Sequence, residues 1–233
     1  MSATKITWIG HATVLVETHQ GQRLVIDPWL EGNPKCPPEF YELDRIDAIL
    51  ITHGHFDHLG SAEALAKRTG AAVVSNFEIG NYLNSRGVSN TIGMNKGGTV
   101  EVAGVQATMV YADHSSGIST DQGILYGGEA AGFVLTLPDG LTVYHAGDTN
   151  VFRDMELIAT LYGPEIALLP IGGHFTMGPK EAAYAARLLG VKTVIPIHYG
   201  TFPVLSGTPA ALKTLLQDTA IQVAAIEPGQ RYQ

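Results

Sequence analysis

The chain has 233 residues, 45% of them hydrophobic and 15% charged, a composition that can bury a large core. Its formal net charge of −8, from 14 basic and 22 acidic residues, disfavours nucleic acid as a partner, because proteins that bind nucleic acid usually carry a basic face. No apolar run reaches the roughly 18 residues that a membrane span requires, and no apolar leader is visible, so we expect a cytoplasmic protein without a membrane partner. The single cysteine, Cys36, cannot form a disulfide within the chain, which agrees with a reducing compartment.

Apolar and alternating segments in the first third of the chain predict four strands, at residues 5–9, 12–18, 23–27 and 47–52. A loop rich in proline and glycine, residues 31–39, separates the last two strands. Beyond the fourth strand, an apolar stripe predicts a helix that Gly70 ends. A short strand at 71–74 and a helix at 78–86 follow, so strands and helices alternate here.

The middle of the chain has β character, with strands predicted at residues 99–102, 105–111, 131–137 and 141–145. The glycine-rich segment 117–128 lies between the second and third of these strands. We predict that this segment is an insert that forms the rim of a pocket.

From residue 153 onward helices and strands alternate, and strands are predicted at residues 165–170 and 192–197. Pro179 begins one helix, and Thr208 caps a last helix whose inner face is predicted to carry Leu212, Leu215 and Leu216. Two groups of strands with helices outside them suit a four-layer αββα sandwich of the α/β (α+β) class. Layer rules alone would also allow a two-layer α+β fold.

The most specific pattern in the chain is the run His53-Gly54-His55-Phe56-Asp57-His58, directly after the strand predicted at 47–52. Side chains alternate in an extended segment, so His53 and His55 point to the same side and can bind one ion. Asp57 and His58 follow where the chain turns into a helix, and they can face a second ion. Imidazole and carboxylate groups are ligands for zinc, iron and manganese, so this run predicts a metal site.

The run and the residues that follow it resemble the metallo-β-lactamase superfamily of metal-dependent hydrolases, over nearly the whole chain. That family has a further histidine after a later strand, an aspartate in a G-D-T context and a last histidine at a strand end, which His114, Asp148 and His198 match. The resemblance implies two divalent ions, one bound by His53, His55 and His114 and the other by Asp57, His58 and His198, with Asp148 bridging them. It also implies the four-layer αββα sandwich, as one domain over residues 1–233.

Three further segments narrow the resemblance to one branch of the superfamily: TWIGHAT at 7–13, IDP at 26–28 and PIGGHFTMG at 170–178. That branch contains the L-ascorbate-6-phosphate lactonases, the N-acyl-phosphatidylethanolamine phospholipases and many uncharacterised hydrolases. The third segment is most similar to uncharacterised bacterial and archaeal members. The resemblance therefore identifies the superfamily and leaves the substrate open.

The implied activity is hydrolysis of a small-molecule ester, lactone or phosphodiester by a hydroxide that bridges two metal ions. Two ions that share a water lower its pKa towards neutrality, and no serine nucleophile in a G-x-S-x-G turn is present. Asp57 is predicted to orient the hydroxide as well as to bind metal. His174, which follows two glycines, is predicted to donate a proton or contact the substrate. Zinc is the favoured metal, with manganese or iron as alternatives.

Other histidines and acids near the motifs have supporting roles in this interpretation. Asp27 is expected to hydrogen-bond a ligand loop, and His11 to lie at the edge of the site or behind a ligand. His145 is expected to be a satisfied core histidine.

Two other classes of function remain open at this point. One is a di-iron oxidoreductase of the same fold, although those relatives commonly have glutamate where this chain has His55 and carry a flavin domain. The other is a metal-binding regulator without turnover, which the full set of seven predicted ligands disfavours. A homo-oligomer is also left open by the sequence.

Overall fold

Two seven-stranded sheets form the centre of the fold in the computed structural model, which describes residues 4–233. The first sheet contains β1 (Lys5–Gly10), β2 (Thr13–Glu17), β3 (Arg23–Ile26), β4 (Ala48–Leu50), β5 (Ala72–Asn76), β6 (Thr91–Met94) and, from the end of the chain, β16 (Arg231–Tyr232). The strand order is β16-β1-β2-β3-β4-β5-β6. Pairing is antiparallel from β16 to β3 and parallel from β3 to β6.

The second sheet repeats this arrangement of antiparallel and then parallel strands. It contains β7 (Thr99–Val102), β8 (Val105–Tyr111), β11 (Ala131–Thr136), β12 (Thr142–His145), β13 (Ile166–Pro170), β14 (Thr193–Ile197) and β15 (Gln222–Val223). Pairing is antiparallel from β7 through β8 and β11 to β12, and parallel from β12 to β15. A separate hairpin of β9 (Gly117–Thr120) and β10 (Gly123–Tyr126) stands between β8 and β11 in the chain.

Helices cover the outer face of each sheet. Those that follow strands of the first sheet are α1 (Phe56–Leu59), α2 (Ala62–Thr69) and α3 (Phe77–Ser85), with a 3-10 turn at Pro38–Phe40. Those of the second sheet are α4 (Met155–Tyr162), α5 (Pro179–Leu189) and α6 (Pro209–Leu215). None of the helices within residues 4–233 is long and apolar enough to span a membrane.

The side chains of each sheet alternate between two cores, as the two-residue period of a strand requires. On β3, Leu24 and Ile26 join the cluster between the two sheets, while Val25 packs towards α2 and α3. On β11, Phe133 faces the other sheet and Val134 faces the helices α4 to α6. Three apolar clusters therefore separate four layers, and the predicted αββα sandwich is confirmed.

Local signals fix several helix ends. Asn76 caps α3 by accepting a hydrogen bond from the backbone N–H of Ile79, and Thr208 caps α6 by accepting from Ala211. Pro179 is the first residue of α5, and Gly190 ends that helix with a φ of 61°. These residues explain why the predicted start and end of α5 and the predicted cap of α6 agree with the structure.

One sequence prediction needs correction, and two elements were not predicted. Strand β6 was not predicted, because its short edge sequence lacks a continuous apolar run. The segment 117–128, predicted to form the rim of a pocket, contains the β9–β10 hairpin, which was also not predicted, and Gly123 directly after its turn has a φ of 115°. Leu215 was placed on the inner face of α6 but is 41% exposed, because Leu212 and Leu216, one turn apart, fill that face.

Candidate metal centre

All seven predicted ligands meet at one end of the two sheets. The motif of His53 to His58 follows β4, and the other three ligands each follow a strand of the second sheet: His114 after β8, Asp148 after β12 and His198 after β14. Strand ends at one edge of a rigid scaffold bring distant segments together, which is how functional side chains on loops are usually held.

The first group of ligand atoms belongs to His53, His55 and His114, and these atoms lie within 4.8 Å of one another. His53 Nε2 is 3.0 Å from His55 Nδ1, so both nitrogens face the same point. On the far side of its ring, His53 Nδ1 lies 3.0 Å from Thr52 Oγ1. Since Thr52 Oγ1 donates its proton to Asp27, it accepts from His53 Nδ1, which leaves the Nε2 lone pair free for a metal ion.

The second group contains Asp57, His58 and His198, together with His11, again within 4.8 Å. His58 Nδ1 donates to Asp27 Oδ2 at 2.8 Å, an arrangement typical of metal-bound histidine. His58 Nε2 is buried and has no hydrogen-bond partner among residues 4–233. A metal ion would satisfy this nitrogen, so the donor set fits the ion that the motif predicts.

Asp148 lies between the two groups. Its Oδ2 atom is 3.0 Å from His198 Nε2 and 3.3 Å from His58 Nε2 in the second group, and 3.7 Å from His114 Nε2 in the first. Its Oδ1 atom is buried and unpaired within the part of the chain that the structure describes. The predicted bridging role of Asp148 is compatible with this position and stays a prediction.

The charges of the site favour a cation. Burial alone would raise the pKa of Asp148, but His198 and His58 hold that pKa well below its usual value. Burial disfavours a charged His198, yet Asp148 and Asp57 raise the pKa of His198 to about 9. The buried carboxylates thus attract protons to the neighbouring imidazoles, and a metal ion that binds here would displace those protons.

His11 lies inside the site rather than at its edge. The residue is fully buried, and its Nε2 is 2.9 Å from Asp57 Oδ2, while its Nδ1 is 3.0 Å from Thr201 Oγ1. Burial lowers the pKa of His11 to about 4, so the ring is neutral, and we assign the Nε2 proton as donated to Asp57. The backbone carbonyl of His11 accepts from the N–H of His198 at 2.8 Å, which ties two ligand segments together.

Asp27 organises the ligand loop, as predicted. Its carboxylate accepts from the N–H and the hydroxyl of Thr52, at 2.8 and 2.6 Å, and from His58. His145 is a satisfied core histidine, also as predicted, because its Nε2 is 3.0 Å from the carbonyl of Ala12 and its Nδ1 accepts from the N–H of Gly147.

Left-handed backbone is concentrated at this site. Among residues 4–233, five residues other than glycine have a positive φ, and three of them, His11, Asp27 and His198, belong to the site, at 55°, 49° and 54°. A fourth, His174, has a φ of 54°. Such conformations cost free energy and persist where the surrounding structure holds them, which is common at functional sites.

A cavity of about 650 Å³ opens above the ligands. Its walls are His55, Phe56, Asp57, His114, Ser115, Ser119, Asp148, Phe175, His198, Phe202, Pro203 and Val204. His174 is exposed and is not part of this lining, although its ring lies 4.5 Å from that of Phe175. The geometry of the ligands therefore does not test the predicted role of His174, which stays a prediction.

Sequence reasoning missed several contacts of the site. The contact of His11 with Asp57 joins residues 46 positions apart, and that of His11 with Thr201 joins residues 190 apart. No local pattern encodes either contact. The only sequence signal was the position of His11 directly after a strand and a glycine.

Comparison with known proteins agrees with this geometry. A family model described as "Beta-lactamase superfamily domain" matches residues 22–199. A "UPF0173 metal-dependent hydrolase" of Solibacter usitatus is 51% identical over 229 residues, covering 98% of this chain and 99% of the relative. Another of that name, from Rubrobacter xylanophilus, is 49% identical over 233 residues, covering 99% and 96%. The solved structure of Igni18, a metallo hydrolase from Ignicoccus hospitalis, is 37% identical with a TM-score of 0.86, covering 98% of this chain and 97% of that one.

Proposed function

This chain belongs to the beta-lactamase superfamily and, within it, to the UPF0173 metal-dependent hydrolases, and on that premise we propose that it uses two divalent metal ions to hydrolyse a small molecule. The bond cleaved is an ester, lactone or phosphodiester. The observation that carries the proposal is the pair of ligand groups with Asp148 between them. The more specific resemblance to L-ascorbate-6-phosphate lactonase stays a prediction.

Each of the two ions would have its own set of ligands. His53, His55 and His114 would bind one ion, Asp57, His58 and His198 the other, and Asp148 both. Nitrogen-rich sites of this kind favour zinc, with manganese or iron as alternatives. When bound, the two ions would polarise the scissile group and lower the pKa of a shared water, so that hydroxide is available near neutral pH.

The side chains behind the ligands keep these groups in position. His11 holds the Asp57 carboxylate, and Asp27 holds the rings of His58 and, through Thr52, of His53. This support of the carboxylate favours the second role proposed for Asp57, which is to orient a nucleophilic water as well as to bind metal. We retain His174 as a proton donor or substrate contact, because it adjoins Phe175 in the cavity wall.

Metal analysis of Asp148→Ala tests the proposal. The wild-type protein is expected to bind two divalent ions per chain, and the variant at least one fewer, because within residues 4–233 no other carboxylate oxygen lies within 4.0 Å of histidine nitrogens from both groups. Asp121→Ala is the matched control, since Asp121 is an exposed residue in the turn of the β9–β10 hairpin. Two ions held by Asp148→Ala at wild-type affinity would contradict the bridging role.

Hydrolysis is tested on the metal-loaded protein with lactones, phosphodiesters, phosphomonoesters and thioesters. Turnover of at least one class, lost in Asp148→Ala and kept in Asp121→Ala, is the expected result. Two bound ions with no turnover on any class would favour a regulator. Iron with a redox-active spectrum would favour the di-iron oxidoreductase.

A further inference from the structure

The cavity above the metal ligands has a polar floor and apolar walls. The floor consists of ligands, and the walls consist of three aromatic rings and two aliphatic side chains: Phe56, Phe175, Phe202, Pro203 and Val204. Ser115 and Ser119 are the other polar residues of the lining, and neither lysine nor arginine is among the residues that line it. A ligand in this space therefore meets polar groups at one end and hydrocarbon around the rest.

The aromatic wall is built on a buried support. Trp29, which is only 7% exposed, contacts Phe56 edge-on at 5.6 Å between ring centroids and stacks with Phe202 at 5.9 Å. His11 contacts the other edge of Phe202 at 5.6 Å. The wall thus joins α1, the loop after β3 and the loop after β14, and it is a fixed part of the site.

Three of the wall residues expose much of their apolar surface. Phe56 is 56% exposed, Phe175 54% and Val204 47%. Single exposed apolar residues are common, but a concave group of them beside convergent polar ligands is typical of a site for an apolar ligand.

The charges around the cavity also favour a ligand without an anionic group. A phosphate or carboxylate on a substrate is often bound by arginine or lysine, and the lining contains neither residue. The chain as a whole carries a net charge of −8. Asp57, Asp148 and a hydroxide would offset three of the four positive charges of two divalent ions, so a second anionic group would meet one net positive charge and no lysine or arginine in the lining.

We propose that the substrate is uncharged outside its scissile group and carries an alkyl or aryl chain that packs against Phe56, Phe175, Phe202 and Val204. This inference rests on the proposed function, since it assigns the substrate class of the same site. It also disfavours a phosphorylated lactone, the substrate type suggested by the resemblance to the L-ascorbate-6-phosphate lactonases.

Binding of alkyl hydroxamates to the zinc-loaded protein tests this inference without turnover. Three probes are compared by calorimetry: acetohydroxamate, hexanohydroxamate and the monohydroxamate of adipic acid, which has the same chain length but ends in a carboxylate. Burial of one methylene group is worth about fourfold in affinity. Hexanohydroxamate is therefore expected to bind at least about tenfold more tightly than acetohydroxamate, and the adipic probe should lose most of that gain.

Two variants locate the effect in the cavity. Phe175→Ala should bring hexanohydroxamate closer to acetohydroxamate, and Val204→Lys should bind the adipic probe at least about fivefold more tightly than the wild type does. Both residues are about half exposed, so neither substitution should disturb the core. Leu157→Lys is the matched control, because Leu157 is 54% exposed on α4 and does not line the cavity.

The outcomes separate the inference from the proposed function. Equal affinities for the three probes, a preference for the adipic probe in the wild type, or no binding of any probe would overturn the inference. The same protein is also assayed with 4-nitrophenyl hexanoate and the panel above. Chain-length discrimination without hydrolysis of any substrate would support an apolar ligand site and refute the hydrolytic function. Hydrolysis of a substrate together with equal affinities for the three probes would support the function and overturn the inference.

Discussion

The two sheets are built alike but supply the metal centre in different ways. Both begin with antiparallel strands and continue with parallel ones. The first sheet delivers four of the seven ligands in the single run from His53 to His58, whereas the second delivers His114, Asp148 and His198 from three separate loops. Each ligand group combines residues of both sheets. Similar scaffolds can therefore present ligands either as one dense motif or as scattered single residues.

The largest expected effect is the loss of thermal stability when metal is removed from between the two sheets. Because each ion would be held by residues of both sheets, removal of metal should weaken the whole fold. Binding of ligand to the folded state alone stabilises it by about 4 kcal/mol at a free concentration of roughly a thousand times the dissociation constant. Chelation followed by thermal unfolding should therefore show a clear fall in Tm, which added zinc restores. An unchanged Tm after verified metal removal would mean that the sheets hold together without the ions.

The second prediction concerns the support of the dense motif. Asp27→Ala removes the acceptor for Thr52 and His58 inside a fully buried site. Metal affinity, measured by competition with a chelator, should fall by about 10- to 100-fold, the range typical for residues behind metal ligands. Asp113→Ala is the comparison variant, because Asp113 lies next to His114, a ligand that the second sheet supplies. An equal loss in both would show that the first sheet has no special dependence on its support.

The third prediction separates the two ligand groups. His11 contacts Asp57 in the second group, and the first group consists of His53, His55 and His114. His11→Ala should therefore weaken one of the two ions by about tenfold or more and leave the other unchanged. His11→Gln, which retains an N–H donor, should recover part of the loss. If both ions weaken equally, the groups do not act as separate sites.

The smallest effect is expected at His174. A general acid contributes about 10²- to 10⁴-fold to rate, but this side chain is exposed and outside the cavity lining. His174→Ala should retain both ions and lose less than about tenfold in turnover. A loss of a hundredfold that disappears with a nitrophenolate leaving group would instead identify His174 as the proton donor.

The comparison also explains how much the sequence could predict. Ligands packed into six residues after an apolar strand form a pattern that is visible without any relative. His114, Asp148 and His198 are ordinary single residues in the sequence and were assigned through the family resemblance alone. The four-layer fold followed from the alternation of strands and helices together with that resemblance.

Features that depend on tertiary contact were not predictable. The burial of His11 against Asp57 and the support of Phe56 and Phe202 by Trp29 join distant segments. Strand β6 depends on its parallel partner β5, because its own sequence is too short, and interrupted by Gly93, to indicate a strand. In each case the determining neighbour lies in another part of the chain.

The position of β16 has a consequence for how the protein is made. This strand, Arg231–Tyr232, pairs with β1 and completes the edge of the first sheet. During synthesis the ribosome releases the His53–His58 motif long before His198 and β16 emerge. A nascent chain therefore carries the four side chains of this motif before the other three predicted ligands, and the seven can meet only after His198 has emerged. An ion bound before that point would be held by an incomplete set of the predicted ligands.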